Sequence, residues 1–258
     1  MKGNFFEQIL EQKYSDTEFI NKGKYIGLNL NTSFHIAVID YKNTMDSVEE
    51  EFAFNEHIME STFHFFNKER VSVLTALREG KVTIYLSGLS DKQVEKVMRS
   101  FYKKLEEDYP NTEIRMGISQ TGEHIGHVLD RYKEATLALR LAIKKPIISY
   151  VDLGIVGVLL NTEQVQGIQM VMKQELGGLD ELKEEKRNEL LKTLYYFLEN
   201  GGNLEQTKRD LALSMSGLRH RVLKLEELLE KDLRNPKQAH QLFLMLQIMV
   251  VLKELDLS

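Results

Sequence analysis

The stretch Tyr195–Leu229, YYFLENGGNLEQTKRDLALSMSGLRHRVLKLEELL, leaves the chain little choice of local fold. Gly201-Gly202 marks the end of a helix, because glycine enters the left-handed C-cap conformation without a Cβ clash. Asn203 is a good N-cap for the next helix, since its side chain accepts a bond from an otherwise orphaned backbone N–H. The pattern predicts a short helix over Leu204–Ala212, a tight turn at Ser214, and a second helix from about Ser216 to Leu229. Leu204, Leu211, Leu213, Leu218, Val222 and Leu225 are spaced to meet in one small core. Lys208, Arg209, Arg219, Arg221 and Lys224 are then left outside. Between 207 and 224 five basic residues stand against one acid, Asp210, in a chain of net charge −5. Phosphate contact requires such a local reversal of sign. Ser214 or Ser216 is expected to cap the second helix, with a hydroxyl–phosphate contact as the second reading.

The rest of the composition bounds the class. A length of 258 residues accommodates two compact domains. No apolar run is long enough to span a bilayer. The longest, LFLMLQIMVVL at 242–252, is broken by Gln247 and reads as a buried helix. Acids interrupt MKGNFFEQILEQ where a signal peptide is apolar. The absence of cysteine excludes disulfides and thiolate metal sites, and suits a reducing cytoplasm. Cytoplasmic localisation with no membrane partner is the expectation. A net charge of −5 confines any nucleic-acid affinity to a local surface.

Upstream, helices and strands alternate. Residues 4–31 are helical by pattern, with Phe5, Phe6, Ile9 and Leu10 and then Phe19, Ile20 and Tyr25 at helical spacing. Phe34–Ile39 is an apolar, β-branched strand. An acidic linker (Asp46, Glu49, Glu50, Glu51) and a helix over about Phe54–Lys68 follow. Val71–Leu77 and Val82–Ser87 flank Arg78–Lys81 as a hairpin whose turn residue is Gly80. A helix (Asp91–Tyr109), a strand (Ile114–Ser119), a helix (His127–Ile143), a strand (Ile147–Tyr150) and a short helix (Leu153–Leu160) complete one domain of helices packed on a sheet. Residues 161–186 are read as a linker. Val165, Ile168 and Met172 have helical spacing, and Gly177–Lys186 is polar and flexible on its glycine side. The last helix, about Lys237–Leu255, carries more apolar residues than one amphipathic face needs. It packs on more than one side, either within its own domain or also against a second subunit.

Two segments carry a resemblance. The run from "ENGGNL" through "LRHRVLKLEELL" to "QAHQLFLMLQIMVVLKEL" resembles the C-terminal helix-turn-helix of PucR/CdaR-type bacterial transcriptional regulators. "RMGISQTGEHIGHVLDRYKEATLALRLA" (115–142) and "SYVDLGIVGVLL" (149–160) look like the degenerate GGDEF-like domain that often precedes it. The resemblance implies an α+β chain. A GGDEF-like α/β domain (1–160), ferredoxin-like with a mostly antiparallel sheet, precedes the linker (161–186) and an all-α helix-turn-helix domain (187–258). It also implies double-stranded operator DNA as partner, a homodimer, and signal input from a small-molecule effector or a sensor partner. Relatives commonly carry a larger N-terminal sensor domain; with this chain starting at the α/β part, the protein is short or a partner does the sensing. Where the family usually has His-Arg-Asn-Thr, this chain has Ser214, Met215, Ser216 and Gly217. Arg219 and Arg221 keep the family's arginines, and His220 stands where tyrosine is usual.

The expected DNA-binding set is therefore Thr207, Lys208, Arg209, Ser214, Ser216, Arg219, His220, Arg221 and Lys224. Ser216, Arg219 and His220 are the candidates for base or near-base contact, and Thr207, Lys208, Arg221 and Lys224 are assigned to phosphates. Arg221 has an alternative, pairing with Glu226, Glu227 or an acid of a neighbouring helix. An interaction or scaffold protein with weakened DNA binding is the alternative for the whole chain.

No catalytic residue, metal or cofactor is expected. A working GGDEF cyclase needs a glycine pair and an Asp-Glu pair at its hairpin to hold Mg²⁺ and triphosphate. Arg78-Glu79-Gly80-Lys81 offers one glycine and one acid. Asp40 resembles the family's metal-binding Asp, but a turn cap is the preferred reading. Arg131, Tyr132, Lys133 and Glu134 read as a solvated helix face before a ligand surface. His57 with His64, and His124 with His127, read as ordinary histidines before metal ligands. Gly177-Gly178 follows no strand and is not a phosphate loop.

Overall fold

The computed structural model describes residues 2–11, 13–25, 28–42, 48–142, 145–160, 165–252 and 254–257. The chain divides into two compact units, 1–157 and 158–258. Asp46, Ile143 and residues 161–164 of the expected linker lie outside the described residues.

Unit 1 is a five-stranded sheet in the order β2-β3-β1-β4-β5. The strands are β1 (Phe34–Lys42), β2 (Val73–Arg78), β3 (Lys81–Ser87), β4 (Glu113–Ile118) and β5 (Ile147–Ser149). All pairings are antiparallel except β4 with β5, so the sheet is mixed and mostly antiparallel, as expected. Alternation along β1 sorts its side chains to two faces. Phe34, Ile36 and Val38 join Tyr85 in a core covered by α1 (Lys2–Leu10), α2 (Asp16–Tyr25) and α5 (Val128–Arg140). Ala37 and Ile39 join Ile84 and Met116 under α3 (Val48–Lys68) and α4 (Asp91–Asp108). The result is three layers, with the sheet buried on both faces.

Glycine sets two features of this unit. The β2–β3 turn places Glu79 at φ 52° and Gly80 at φ 71°, the two left-handed residues of a tight hairpin. Gly117 on β4 lets α5 approach the sheet. A Cβ there would stand 2.0 Å from the Ala135 carbonyl oxygen and 2.5 Å from the Leu139 nitrogen.

Three expectations for unit 1 are corrected. Residues 4–31 are two helices separated by a break, and Leu28 and Leu30 are buried without being helical. Helix α3 starts at Val48, so Glu49, Glu50 and Glu51 belong to its first turn; acidic residues favour a helix start. Tyr132 and Glu134 do not lie on a solvated face, being only 8% and 1% exposed. Glu134 is paired with Arg131 at 2.9 Å and accepts the Gln120 N–H at 3.1 Å. Burial holds its carboxyl above the usual glutamate range despite the arginine.

The division between units falls within α6 (Ile155–Leu160). Unit 2 continues with α7 (Val165–Leu176), α8 (Glu184–Glu199), α9 (Leu204–Asp210), α10 (Met215–Leu229) and α11 (Pro236–Val251). Its core comes from Leu190, Leu191, Leu194 and Phe197 of α8, Leu218, Val222 and Leu225 of α10, and Leu242, Leu246 and Ile248 of α11. Asn235 caps α11 by accepting from Lys237 and Gln238 N–H groups, with Pro236 at the first helical position. The described part of the expected linker packs within this unit. Met172, Leu176 and Leu179 are buried, Lys231 pairs with Glu175 at 2.9 Å, and a Cβ on Gly178 would meet the Leu228 carbonyl oxygen at 1.9 Å. Gly178 thus serves a close helix contact, which explains a glycine pair that no strand precedes.

Candidate nucleic-acid interface

The turn between α9 and α10 is built by capping. Gly201 and Gly202 take φ 60° and 79°, stopping α8 as their chemistry demands. Asn203 then accepts the Gln206 N–H at 3.0 Å, and Ser214 accepts the Gly217 N–H at 3.1 Å. Of the two serines considered as cap, Ser214 is the one that caps; Ser216 is exposed at the second position of the helix. Ala212 sits at φ 51° between the helices, a conformation strained for any residue with a Cβ. Leu218, Val222 and Leu225 are buried as expected, whereas Leu204, Leu211 and Leu213 remain half-buried at the rim.

The single acid of the basic stretch is turned to structural use. Asp210 accepts from the Asn200 amide at 2.9 Å and from the Gln206 amide at 2.9 Å. Thr207 belongs to the same network and is fully buried. Its hydroxyl donates to the Asn203 carbonyl at 2.8 Å and accepts from Asn200 at 3.2 Å. The expected phosphate contact from Thr207 is therefore corrected: the residue faces the core, with its hydroxyl occupied.

The basic residues separate into two groups. Arg221 forms an ion pair with Glu189 of α8 and donates to the Thr193 hydroxyl at 3.3 Å. Its assignment to phosphate is corrected in favour of the neighbouring-helix alternative. Lys224 pairs with Glu227 at 3.0 Å and Lys208 with Glu205 at 3.8 Å, both pairs on the solvent side. Arg209 is exposed, and among the described residues its side chain bonds only the neutral Gln206 amide, at 3.0 Å. Arg219 and His220 are exposed, and neither has an acidic partner within 4.0 Å among the described residues.

Ser216, Arg219 and His220 share one face of α10, at positions i, i+3 and i+4. Leu223 extends that face by one more residue at i+7 and is 65% exposed. It was not singled out from sequence, because a leucine inside a heptad-like run reads as core. The signal was present: Leu218, Val222, Leu225 and Leu229 already define the buried stripe, and Leu223 falls off it. The outward face of α10 therefore offers a hydroxyl, a guanidinium, an imidazole and an isobutyl group in one line.

Family comparisons agree with this geometry. The GGDEF-like domain family matches residues 11–141, and the PucR C-terminal helix-turn-helix domain family matches residues 190–248. The chain belongs to the PucR-type family. In its helix-turn-helix, the matched segment contains the whole of α9 and α10 and most of α11. The purine catabolism regulatory protein of Bacillus subtilis (strain 168) is 25% identical over 266 residues, covering 96% of this chain and 48% of that protein. The chain thus spans about half the length of that curated relative. A crystal structure of a regulator of polyketide synthase expression from Bifidobacterium adolescentis aligns over 96% of both chains, at 16% identity and a TM-score of 0.39.

The family's catalytic end of the GGDEF-like unit looks different here. Asp40 lies inside β1, directly opposite Arg115 of β4. Its carboxylate accepts from Arg115 at 3.0 Å and has Lys81 of the hairpin at 3.9 Å. Asp40 is therefore neither a turn cap nor a free carboxylate; its charge is balanced by cations from both sides. Arg78 of the same hairpin lies over the Tyr132 ring, 5.3 Å from its centroid. His57 and His64 are exposed on α3, and His124 and His127 are exposed with ring centroids 5.7 Å apart. No group of three or more metal-ligating side chains occurs among the described residues. Nor is any helix of the described residues long and apolar enough to cross a membrane.

Proposed function

We propose that this PucR-type chain is a transcriptional regulator that binds operator DNA as a homodimer, with α10 in the major groove. The observation that carries this reading is the outward face of α10, where Ser216, Arg219, His220 and Leu223 stand together and exposed. A helix entering the major groove reads bases with side chains of its N-terminal half. Arg219 is assigned to a base edge, Ser216 and His220 to base or near-base contacts, and Arg209 and Lys208 to phosphates. Lys224 reaches a phosphate where its surface pair with Glu227 opens. Ser214 holds the N-terminus of α10 in place. The B. subtilis relative's description as a regulator of purine catabolism agrees with a regulatory role.

The GGDEF-like unit is proposed to serve dimerisation or signal input and not catalysis. The pairing of Asp40 with Arg115 and Lys81 supports this, because a metal ion would have to displace both cations. A chain incubated with GTP and Mg²⁺ should yield no cyclic dinucleotide.

The test of DNA reading is Arg219→Ala, measured on the operator and on random DNA. Loss of a base contact should weaken operator binding by about 1–3 kcal/mol and leave random DNA nearly unchanged. Equal loss on both refutes base reading by Arg219. One observation favours the second reading, an interaction protein with weakened DNA binding: Arg221, Lys224 and Lys208 all have acidic partners within the chain. That reading requires operator and random DNA to bind equally at every salt concentration.

A further inference from the structure

A cavity of about 720 Å³ lies in unit 1, within the range of small-molecule sites. It runs along one flank of α4, past the end of β4 at Ile118, to the segment 145–152 that contains β5. His35, near the start of β1 and 2% exposed, lines it. Asp40 and the hairpin are at the other end of the same strand, about 16 Å away at the rise of an extended chain. The cavity is thus separate from the nucleotide end of a GGDEF fold.

The polar groups that line it are unequally committed. Every lining carboxylate already accepts a bond from the chain. Asp91 takes the Thr121 hydroxyl at 2.7 Å and the His35 Nε2 at 2.8 Å. Glu95 takes Arg99 at 2.9 Å, Glu106 the Tyr102 hydroxyl at 3.0 Å, and Asp152 the Ser149 N–H at 3.1 Å. These bonds to Thr121 and His35 hold the Asp91 carboxyl below the usual range, so it stays ionised and engaged. The cations differ. Arg99 is spent on Glu95, but Lys92, Lys103 and Lys145 have no acidic partner within 4.0 Å among the described residues. Four carboxylates and four lysine or arginine side chains line the cavity, and the cationic donors left without any partner among the described residues are those of the lysines, beside an apolar wall of Val94, Ile118 and Ile147.

We propose that this cavity is a binding site for a small organic anion: a carboxylate or sulfonate met by Lys103 and Lys145, on an apolar body that covers Val94, Ile118 and Ile147. The proposal deepens the signal-input reading of unit 1. It is tested without DNA, so its failure leaves the DNA-binding reading standing.

The experiment is calorimetric titration of the full chain with 2-naphthoate, with its neutral analogue 2-naphthalenemethanol and with inorganic phosphate. The expected result is saturable binding of 2-naphthoate, one per chain, and at least about ten-fold weaker binding of both controls, since a charge-assisted bond and an apolar contact each contribute on that scale. Lys103→Glu should weaken 2-naphthoate by about ten-fold or more. Lys145→Glu, on a different segment, should do the same, and both substitutions are at exposed positions. Lys237→Glu, at an exposed position of unit 2, should leave 2-naphthoate binding unchanged. Absence of saturable binding at millimolar 2-naphthoate overturns the proposal. So does equal binding of the neutral analogue or of phosphate, or binding that both lysine variants leave intact.

Discussion

Arg221 allows the assignment of charge in unit 2 to be tested by a single substitution, Arg221→Gln, which keeps a polar side chain and helix propensity while removing the cation. The pair with Glu189 is partly sheltered, with side chains 22% and 33% exposed. A fully exposed pair contributes 0 to about 1 kcal/mol. Here shelter and the bond to Thr193 raise the figure, while Lys186, which also holds Glu189, keeps the carboxylate partnered when Arg221 is lost. The expected destabilisation is about 1 kcal/mol, or roughly 4–8 °C in the melting temperature of a unit this size. A double-mutant cycle with Glu189→Gln should return a coupling of about 0.5–1 kcal/mol. Thermal and urea unfolding by circular dichroism measure stability, and fluorescence anisotropy across a salt series measures DNA binding. DNA affinity and the slope of log K against log salt should not move. If Arg221 instead held a phosphate, the slope would become shallower by about 0.9 per protomer and stability would be unchanged. That pattern would refute the partition of cations described above.

Three further outcomes follow from the geometry. Gly117→Ala should cost unit 1 about 3 kcal/mol or more in unfolding free energy, because the added carbon would overlap α5 backbone at 2.0 Å; unchanged stability would mean that β4 and α5 do not approach as described. Leu223 should contact a thymine methyl, so replacing one operator thymine by uracil should weaken wild-type binding by a few fold and Leu223→Ala binding not at all; equal losses in both proteins would remove Leu223 from the interface. Lys186, foremost, and the charge of Arg221 hold the Glu189 carboxyl below its ordinary 4.5, so its contribution is present above that pH and is lost as pH falls through the lowered value. Glu189→Gln should therefore be less stable than wild type at pH 7, and the difference should shrink below pH 4.5; a constant gap down to pH 2 would refute the linkage.

What could be read from the sequence is what local chemistry fixes. Gly201, Gly202 and Asn203 specify a helix end and a helix start by conformation and capping alone, and they adopt those roles. Gly80 likewise specifies a hairpin, and apolar alternation in β1 specifies a strand buried on both faces. The family resemblance then supplied the order of units. What escaped depends on partners distant in sequence. Arg221 looks like a surface cation until Glu189 of α8 is brought beside it. Thr207 looks polar and available until the Asn200 amide and the Asn203 carbonyl take its hydroxyl. His35 is one polar residue in an apolar strand, and its meaning comes from Asp91 and Thr121, both far along the chain. The acids that open α3 read as a linker because polarity alone does not separate a loop from a helix start.

The same charge partition sets how steeply salt should weaken DNA binding. Five basic residues per protomer, all free, would place ten cations on the DNA in a dimer and give a slope near −9. Arg221 is committed to Glu189, and Glu205 and Glu227 sit within ion-pair distance of Lys208 and Lys224 on the solvent side. Arg209 and Arg219 alone have no carboxylate within 4.0 Å among these five. Two such cations per protomer give about −4 for a dimer, and a monomer gives about −2. A slope near −4 in binding measured from about 50 to 200 mM salt would agree with a dimer that keeps its surface pairs closed. A slope steeper than about −7 would show that the lysines leave their glutamates for phosphates, and the pairs would then be resting states that DNA opens. On the proposed reading, so few free cations make sequence-independent attraction weak, and preference for the operator would come from Ser216, Arg219, His220 and Leu223. Arg219→Ala should accordingly erase most of the difference between operator and random DNA and, because Arg219 is one of the two cations counted, make the operator slope shallower by about 0.9 per protomer.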